Sequence, residues 1–517
     1  MKLVIQIVIF SFLNTISAQY YDVTIYEKIA NNLGGLDVTF DNEDWFGYSV
    51  EGIGDLDGDG VNDVAVGSLK DDDGGNNKGA VYILFLNEDG SVNYHQKISE
   101  TEGGFEGDLD NWDIFGTSIS YLGDLNNDGI IEIGVGAEYD GDGGYWHGAV
   151  WILSLNNDGT VNSHVKISDT EGGFEGILGD SDVFGTDIEL LGDLNDDGYN
   201  DIAVSARRDP DGGSDRGAVY ILFLNSDLTV NSFQKISDTQ GGFEGDLDGQ
   251  DYFGGSIANI GDLNGDGVID LAVGAYRDDD GGENKGAVYI LFLNSDGTVN
   301  DYQKISELYG GFEGNLNENS RFGQSIDLAP DINEDGFKEI IVGAIGLNAN
   351  DENNIGAFFI LNLNPNGTVN SSVKFTEGYQ YFDGDLNSGD AFGFSVSYLG
   401  FLTDKQTIGV GACFDDVDGY EKGSVWTLQL GDILSIESLE SRNNNFIYPN
   451  PSRNAFSLND IKDIKSIQVV DMNGKQIVLF KDIEKNFFNV SYLPTGEYII
   501  FVNNIKGDTF SYKLIKN

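Results

Sequence analysis

Residues 253–306 read FGGSIANIGDLNGDGVIDLAVGAYRDDDGGENKGAVYILFLNSDGTVNDYQKIS, and this stretch decides the fold. Four runs rich in β-branched and aromatic residues stand between Gly/Asp/Asn turns: Phe253 to Ile260, Asp270 to Ala275, Gly286 to Leu293 and Thr298 to Ile305. They predict strands A, B, C and D of one antiparallel unit, with no helical period between them. The opening Phe-Gly returns at Phe46-Gly47, Phe115-Gly116, Phe184-Gly185, Phe253-Gly254, Phe322-Gly323 and Phe392-Gly393, at spacings of 69, 69, 69, 69 and 70 residues. Six copies of a four-stranded unit must protect their edges, and packing them radially around a channel does so. The expected fold is all-β, a six-bladed β-propeller over residues 19–430. The sixth unit stops after Ser424 to Leu430 (SVWTLQL) without a strand D, whereas Thr24 to Ala30 (TIYEKIA) aligns with strand D of the other units. The N-terminal strand is therefore expected to complete the sixth blade and close the ring.

Between strands A and B lies an acidic loop of fixed spacing. It offers Asp55, Asp57, Asp59, Val61 and Asp63 in the first unit, and Asp124, Asn126, Asp128, Ile130 and Glu132 in the second. The third has Asp193, Asn195, Asp197, Tyr199 and Asp201; the fourth has Asp262, Asn264, Asp266, Val268 and Asp270; the fifth has Asp331, Asn333, Asp335, Phe337 and Glu339. Oxygen side chains at positions 1, 3 and 5, a Gly at 6, a backbone carbonyl at 7 and a carboxylate at 9 suit a hard cation around which the chain curls. Without one, the converging carboxylates would repel one another and raise their own pKa values. All-oxygen donors with no His or Cys favour Ca²⁺ over Zn²⁺, copper or Mg²⁺, so about five Ca²⁺ sites are expected. The sixth unit has Phe401-Leu402-Thr403-Asp404-Lys405 in this place and is expected to hold no site.

Phe-Gly, the DxDxDGxxD-type loop, Val-Gly-Ala after it (Val135-Gly136-Ala137, Val273-Gly274-Ala275, Val342-Gly343-Ala344) and Gly-Ala-Val-Tyr together resemble the FG-GAP repeats of the integrin alpha-subunit propeller. The resemblance covers about residues 20–430. It implies calcium in the A–B loops at the bottom of the ring and partner binding on the opposite face. Integrin propellers have seven blades and this chain has six units, so no integrin partner or ligand carries over.

The ends of the chain differ from the repeat. Lys2, the apolar run Leu3 to Leu13 and the small residues Ser17-Ala18 read as a signal peptide over residues 1–18. No later apolar stretch is long enough to span a bilayer as a helix. A polar linker is expected at 431–445 and a small β-sandwich at 446–517, where net charge turns to +2. Tyr448-Pro449-Asn450-Pro451, Asp471-Met472-Asn473-Gly474, Leu493-Pro494-Thr495-Gly496-Glu497-Tyr498 and Lys513-Leu514-Ile515-Lys516 resemble the type A sorting domain of the bacterial type IX secretion system. That resemblance implies export to the medium or to the outer-membrane surface, and the secretion machinery as a partner.

Composition narrows the function. The chain of 517 residues has 28 Lys+Arg against 87 Asp+Glu, a net −59, which rejects nucleic acid and anionic membranes as partners. In an antiparallel blade the B–C and D–A loops share one face, and they carry 46 of the 87 acids, opposite the expected calcium loops. That face is either solvated surface or a place for further Ca²⁺ or a cationic partner. His95, His147 and His164 are scattered over two units, and the equivalent strand-D positions of His95 and His164 suggest a surface strand role; the single Cys413 reads as a small buried residue rather than a nucleophile. No phosphate-binding or dinucleotide fingerprint is present. Two functions remain: a secreted calcium-binding propeller that recognises a protein or glycan without catalysis, and a polysaccharide-acting hydrolase with its site at the ring mouth. A polar cluster at that mouth, specific to particular units, would be the feature to look for.

Overall fold

The computed structural model describes residues 21–431 apart from 334, 349–353, 381 and 403, together with 447–448, 455–458, 464–471, 475–481, 483, 485, 487–491, 493–504 and 509–516. The expected leader at 1–18 lies outside the described residues, as does the expected linker after Gly431. The chain divides into two compact units, the first ending at Gly431 and the second beginning at Asp432.

The first unit contains six sheets of four antiparallel strands. Blade 1 runs A (Phe46–Gly54), B (Asp63–Ser68), C (Ala80–Leu86) and D (Val92–Ile98), and blades 2 to 5 repeat this order. In blade 6, strands Val396–Leu402, Lys405–Ala412 and Ser424–Gly431 are joined by Asp22–Ala30, which pairs antiparallel with Ser424–Gly431. The innermost strands pack one on the next around the ring, and that of blade 6 packs on that of blade 1. The six-bladed propeller and its closure by the N-terminal strand are as the sequence predicts.

The repeated motif is explained by the packing it produces. Strand C, AVYILFL in blades 1, 3 and 4, is buried along its whole length because its two faces meet neighbouring blades. Each Phe of Phe-Gly is fully buried. It stacks on a Phe of the loop before it, with ring centroids 4.6, 5.1, 5.0, 4.9, 4.5 and 5.3 Å apart in blades 1 to 6. Burying such a ring contributes roughly 2–3 kcal/mol. The Gly that follows has φ between +84° and +97°, and a Cβ there would collide with the carbonyl opening strand C, so no other residue fits.

Adjacent blades are tied by one repeated hydrogen bond. The N–H of Val92, Val161, Val230, Val299 and Val369 donates to the carbonyl of Gly34, Gly103, Gly172, Gly241 and Gly310, each at 2.8 Å. The sixth interface uses the N-terminal strand, where the Val23 N–H donates to Gln380 at 2.9 Å.

The second unit has a three-stranded sheet (Ile447–Tyr448, Ala455–Leu458, Phe487–Asn489) and a four-stranded sheet (Ile464–Asp471, Gln476–Lys481, Gly496–Asn504, Thr509–Lys516). Phe456 and Phe488 from the first share a core with Ile467, Val469, Ile500 and Leu514 from the second, which makes a small β-sandwich.

Candidate functional site

The five acidic loops adopt one geometry. The carboxylate at position 1 accepts the N–H of the Gly at position 6 in every loop, from Gly60 at 3.0 Å to Gly336 at 2.7 Å. The carboxylate at position 5 accepts the N–H at position 7, from Val61, Ile130, Tyr199, Val268 and Phe337. The acid at position 9 is the first or second residue of strand B and accepts the N–H of position 2, from Leu56, Leu125, Leu194, Leu263 and Ile332. The Gly at position 6 has φ from +88° to +96°, a backbone conformation that strains any residue with a Cβ and explains why all five copies have Gly there.

These contacts curl each loop inward. The donor oxygens of Asp55, Asp57 and Asp63 lie within 4.8 Å of one another, as do those of Asp331, Asp335 and Glu339. Asp63, Asp201, Asp270 and Glu339 are fully buried or nearly so. Burial, then the neighbouring loop acids, push Asp63 up to about 7 and Glu339 up to about 8, and Asp201 and Asp270 up to about 6. Asp270 Oδ1 is buried with no hydrogen bond of normal geometry. Crowded, desolvated carboxylates with an oxygen left over are the arrangement that a bound cation satisfies. In blade 6, strand A ends at Leu402 and strand B begins at Lys405, with no room for a nine-residue loop.

On the opposite face the blades differ. The residue before Phe-Gly is Trp45, Ile114, Val183, Tyr252, Arg321 and Ala391 around the ring, all six in the left-handed region at φ +51° to +58°. The residue after strand B is Leu69, Glu138, Arg207, Tyr276, Ile345 and Cys413. Arg207 is ion-paired with the buried Glu138 across the blade 2–3 interface, and its guanidinium also donates to Thr186 Oγ1 at 3.2 Å. Trp45, Phe414, Phe394 and Tyr48 form an aromatic chain at the blade 6–1 junction, with Lys70 Nζ 3.3 Å from the Trp45 ring centre.

The channel is lined by all six inner strands and has a free volume of about 100 Å³. Four carboxylates project into it: Glu51, Asp187, Glu189 and Asp327. Burial raises all four, and Glu51, Asp187 and Glu189 are raised further by other members of the group. Glu51 accepts the Tyr121 N–H and the Ser397 hydroxyl, and Asp187 accepts the Ile257 N–H from the next blade. Sequence reading missed both this group and the rim. The signal was present as the variation of the third, fourth and sixth residues of the Phe-Gly strand among units that otherwise repeat.

The acidic loops of the rim face are less open than composition suggests. The strand-D lysines Lys97, Lys166, Lys235 and Lys304 each bridge two aspartates of their own B–C loop at 2.6–2.8 Å, for example Asp209 and Asp211 with Lys235. His147, 3.3 Å from Asp169, stands where Lys78, Arg216 and Lys285 pair with Glu100, Asp238 and Glu307 in other blades. It fills a structural position in that loop. His95 and His164 are half-buried against Tyr82 and against Phe105 and Trp151. Cys413 is a buried free thiol, pushed up by burial.

Residues 184–222 and 253–291, the first three strands of blades 3 and 4, match the FG-GAP repeat family. These are FG-GAP repeats. Residues 446–517 match the secretion system C-terminal sorting domain. The FG-GAP region is similar to integrin alpha-3 of Cricetulus griseus, 32% identical over 38% of this chain and 17% of the relative. It is similar to integrin alpha-5 of Xenopus laevis, 31% identical over 46% of this chain and 20% of the relative. Integrin alpha-PS5 of Drosophila melanogaster is 32% identical over 32% of this chain and 15% of its own length. The chain spans a fifth or less of these relatives. Among the described residues, no helix is long and apolar enough to cross a membrane.

Proposed function

We propose that this FG-GAP propeller is a secreted or surface-displayed adhesion-type module, which binds calcium in its five A–B loops and recognises an extracellular protein or glycan, without catalysis, on the face opposite them. One observation carries the reading. The A–B loops keep one geometry five times over, as a shared structural element does, while the rim on the other face changes chemistry from blade to blade, as a recognition surface does. Asp55, Asp57, Asp59, Asp63 and the Val61 carbonyl, with their counterparts in blades 2 to 5, are the proposed ligands. Bound Ca²⁺ supplies charge neutralisation where strand A turns into strand B. The sorting domain at 446–517 supports delivery by type IX secretion to the medium or the outer-membrane exterior.

The channel carboxyls are the feature that a polysaccharide hydrolase would need. A free volume of about 100 Å³ is well below the roughly 300–1,000 Å³ of a ligand pocket, which favours binding at the rim over turnover within the ring.

The test is a glycan and protein array probed with the calcium-loaded chain and again in chelator, alongside calcorimetric melting in both states. Expected are ligand binding that chelator weakens, a melting temperature lowered by chelator and about five bound Ca²⁺. Release of reducing ends from a polysaccharide would favour the hydrolase, and a melting temperature indifferent to chelator would sink the calcium assignment.

A further inference from the structure

The propeller has five arginines: Arg207, Arg208, Arg216, Arg277 and Arg321. Three have carboxylate partners, Arg207 with Glu138, Arg208 with Asp215 and Arg216 with Asp238. Arg277 and Arg321 have no ion pair and no side-chain hydrogen bond among the described residues, in a chain with 87 acidic residues. They belong to adjacent blades. Arg277 follows strand B of blade 4 and Arg321 precedes strand A of blade 5, both on the face away from the acidic A–B loops.

Their surroundings form a frame rather than a patch. The Arg277 guanidinium lies 4.6 Å from the centre of the Tyr252 ring, and its Nε is buried with no acceptor. Tyr252 meets Tyr276 edge-on with ring centroids 5.5 Å apart. The Tyr276 ring is buried against bare backbone at Gly255, where a Cβ would collide with it; the other blades place Tyr48, Thr117, Thr186, Gln324 and Phe394 there. Arg321 is half-buried beside them, and burial followed by repulsion from Arg277 holds its guanidinium below the usual arginine range.

Two partly desolvated like charges without a counterion are costly, and proteins normally pair them. Supplying a carboxylate here needs only one of the acids that crowd this face. The guanidinium fork matches a carboxylate with two parallel hydrogen bonds, and tyrosine hydroxyls can add a third. The acidic loops around the rim repel a polyanion, so the complementary ligand carries a single negative charge.

We propose that Arg277 and Arg321, framed by Tyr252 and Tyr276, bind one carboxylate of an otherwise uncharged or cationic extracellular ligand. The assignment rests on the reading of this face as the recognition surface, and it names the chemistry recognised there. A peptide aspartate and a uronic acid both present that chemistry.

The experiment uses the full chain with calcium and ligand-observed NMR titration of two probe pairs: acetyl-Gly-Asp-Gly-amide with its Asn counterpart, and methyl glucuronide with methyl glucoside. Expected is at least tenfold tighter binding of the charged member of one pair, and which pair responds identifies the source. Arg277→Gln and Arg321→Gln should each weaken that binding at least tenfold, with Arg208→Gln unchanged. Because each variant removes an unpaired charge, neither should melt below the wild type. Equal binding of charged and neutral probes, unchanged binding in both variants, or a lower melting temperature in either would overturn the proposal. An array ligand whose binding ignores both substitutions would sink this site and leave the recognition reading standing; carboxylate binding with no array ligand would do the reverse.

Discussion

Asp113 shows how much a single side chain in the D–A loops contributes to pH sensitivity. It is buried and accepts the Asp110 N–H at 2.7 Å, and Asp44, Asp182, Asp251 and Asp390 close their own loops in the same way. Burial pushes Asp44, Asp113, Asp251 and Asp390 up to about 7 and Asp182 up to about 6. A carboxyl whose folded pKa lies above its unfolded value contributes stability that is complete below about pH 4 and is lost as pH rises through the folded value. Asp113→Asn keeps the acceptor and removes the titration. It should therefore leave stability nearly unchanged at pH 3.5 and raise it by up to roughly 4 kcal/mol at pH 8, read by calorimetry at both pH values. A loss at pH 8 would mean that the charged form is the one the fold uses. None of this was legible in the chain, where Asp113 is one acid among many; only the loop's curl shows that it points inward.

At the scale of the element, the strands and the A–B loops were legible because six aligned copies average out local accidents. Strand A of blade 4 was expected over Phe253 to Ile260 and runs Phe253–Gly261, and strand B occupies Asp270–Ala275 as expected. The pairing of Lys235 with Asp209 and Asp211 was readable in principle from a constant 26- and 24-residue spacing, but composition alone presented those aspartates as unpartnered. The channel carboxylates stood out only as variation among the repeats, and their direction was not readable. Strand A carries a register shift, between Phe46 and Val50 in blade 1, that redirects the residues after Phe-Gly, so simple alternation misplaces them. The loop geometry supports a sharp test. Gly267 has φ +93° and nothing within 4 Å of where a Cβ would sit, so Gly267→Ala introduces backbone strain without a clash. It should cost about 1 kcal/mol in chelator, measured by denaturant melting, and more with calcium if the same curl holds the ion. An effect that is absent in both conditions would show that the loop relaxes freely and does not preorganise its carboxylates.

At the scale of the whole molecule, the ring resists its own charge. The chain's net charge is −59, and strand-D lysines of four blades already pair with the inner aspartates of their B–C loops, so the unpaired acids gather in the A–B loops and in the loops of the opposite face. Closure draws these charges together: the strand Asp22–Ala30 must reach Ser424–Gly431 across a sequence separation of about four hundred residues before the sixth interface exists. Long-range repulsion therefore opposes the closed state, and salt screens it over a Debye length of about 10 Å at 0.1 M and 3 Å at 1 M. In chelator, raising KCl from low to near-molar concentration should raise the melting temperature of the full chain. With calcium bound, the rise should shrink, because ten positive charges on five loops remove much of the repulsion that salt would otherwise screen. The two effects separate when CaCl₂ and KCl are compared at equal ionic strength, where site binding gives an excess shift for calcium alone. A melting temperature that falls with KCl in chelator would mean that the paired lysines contribute more to the closed ring than the repulsion takes away. The buried Lys–Asp bridges of the B–C loops would then be the main electrostatic support of the fold.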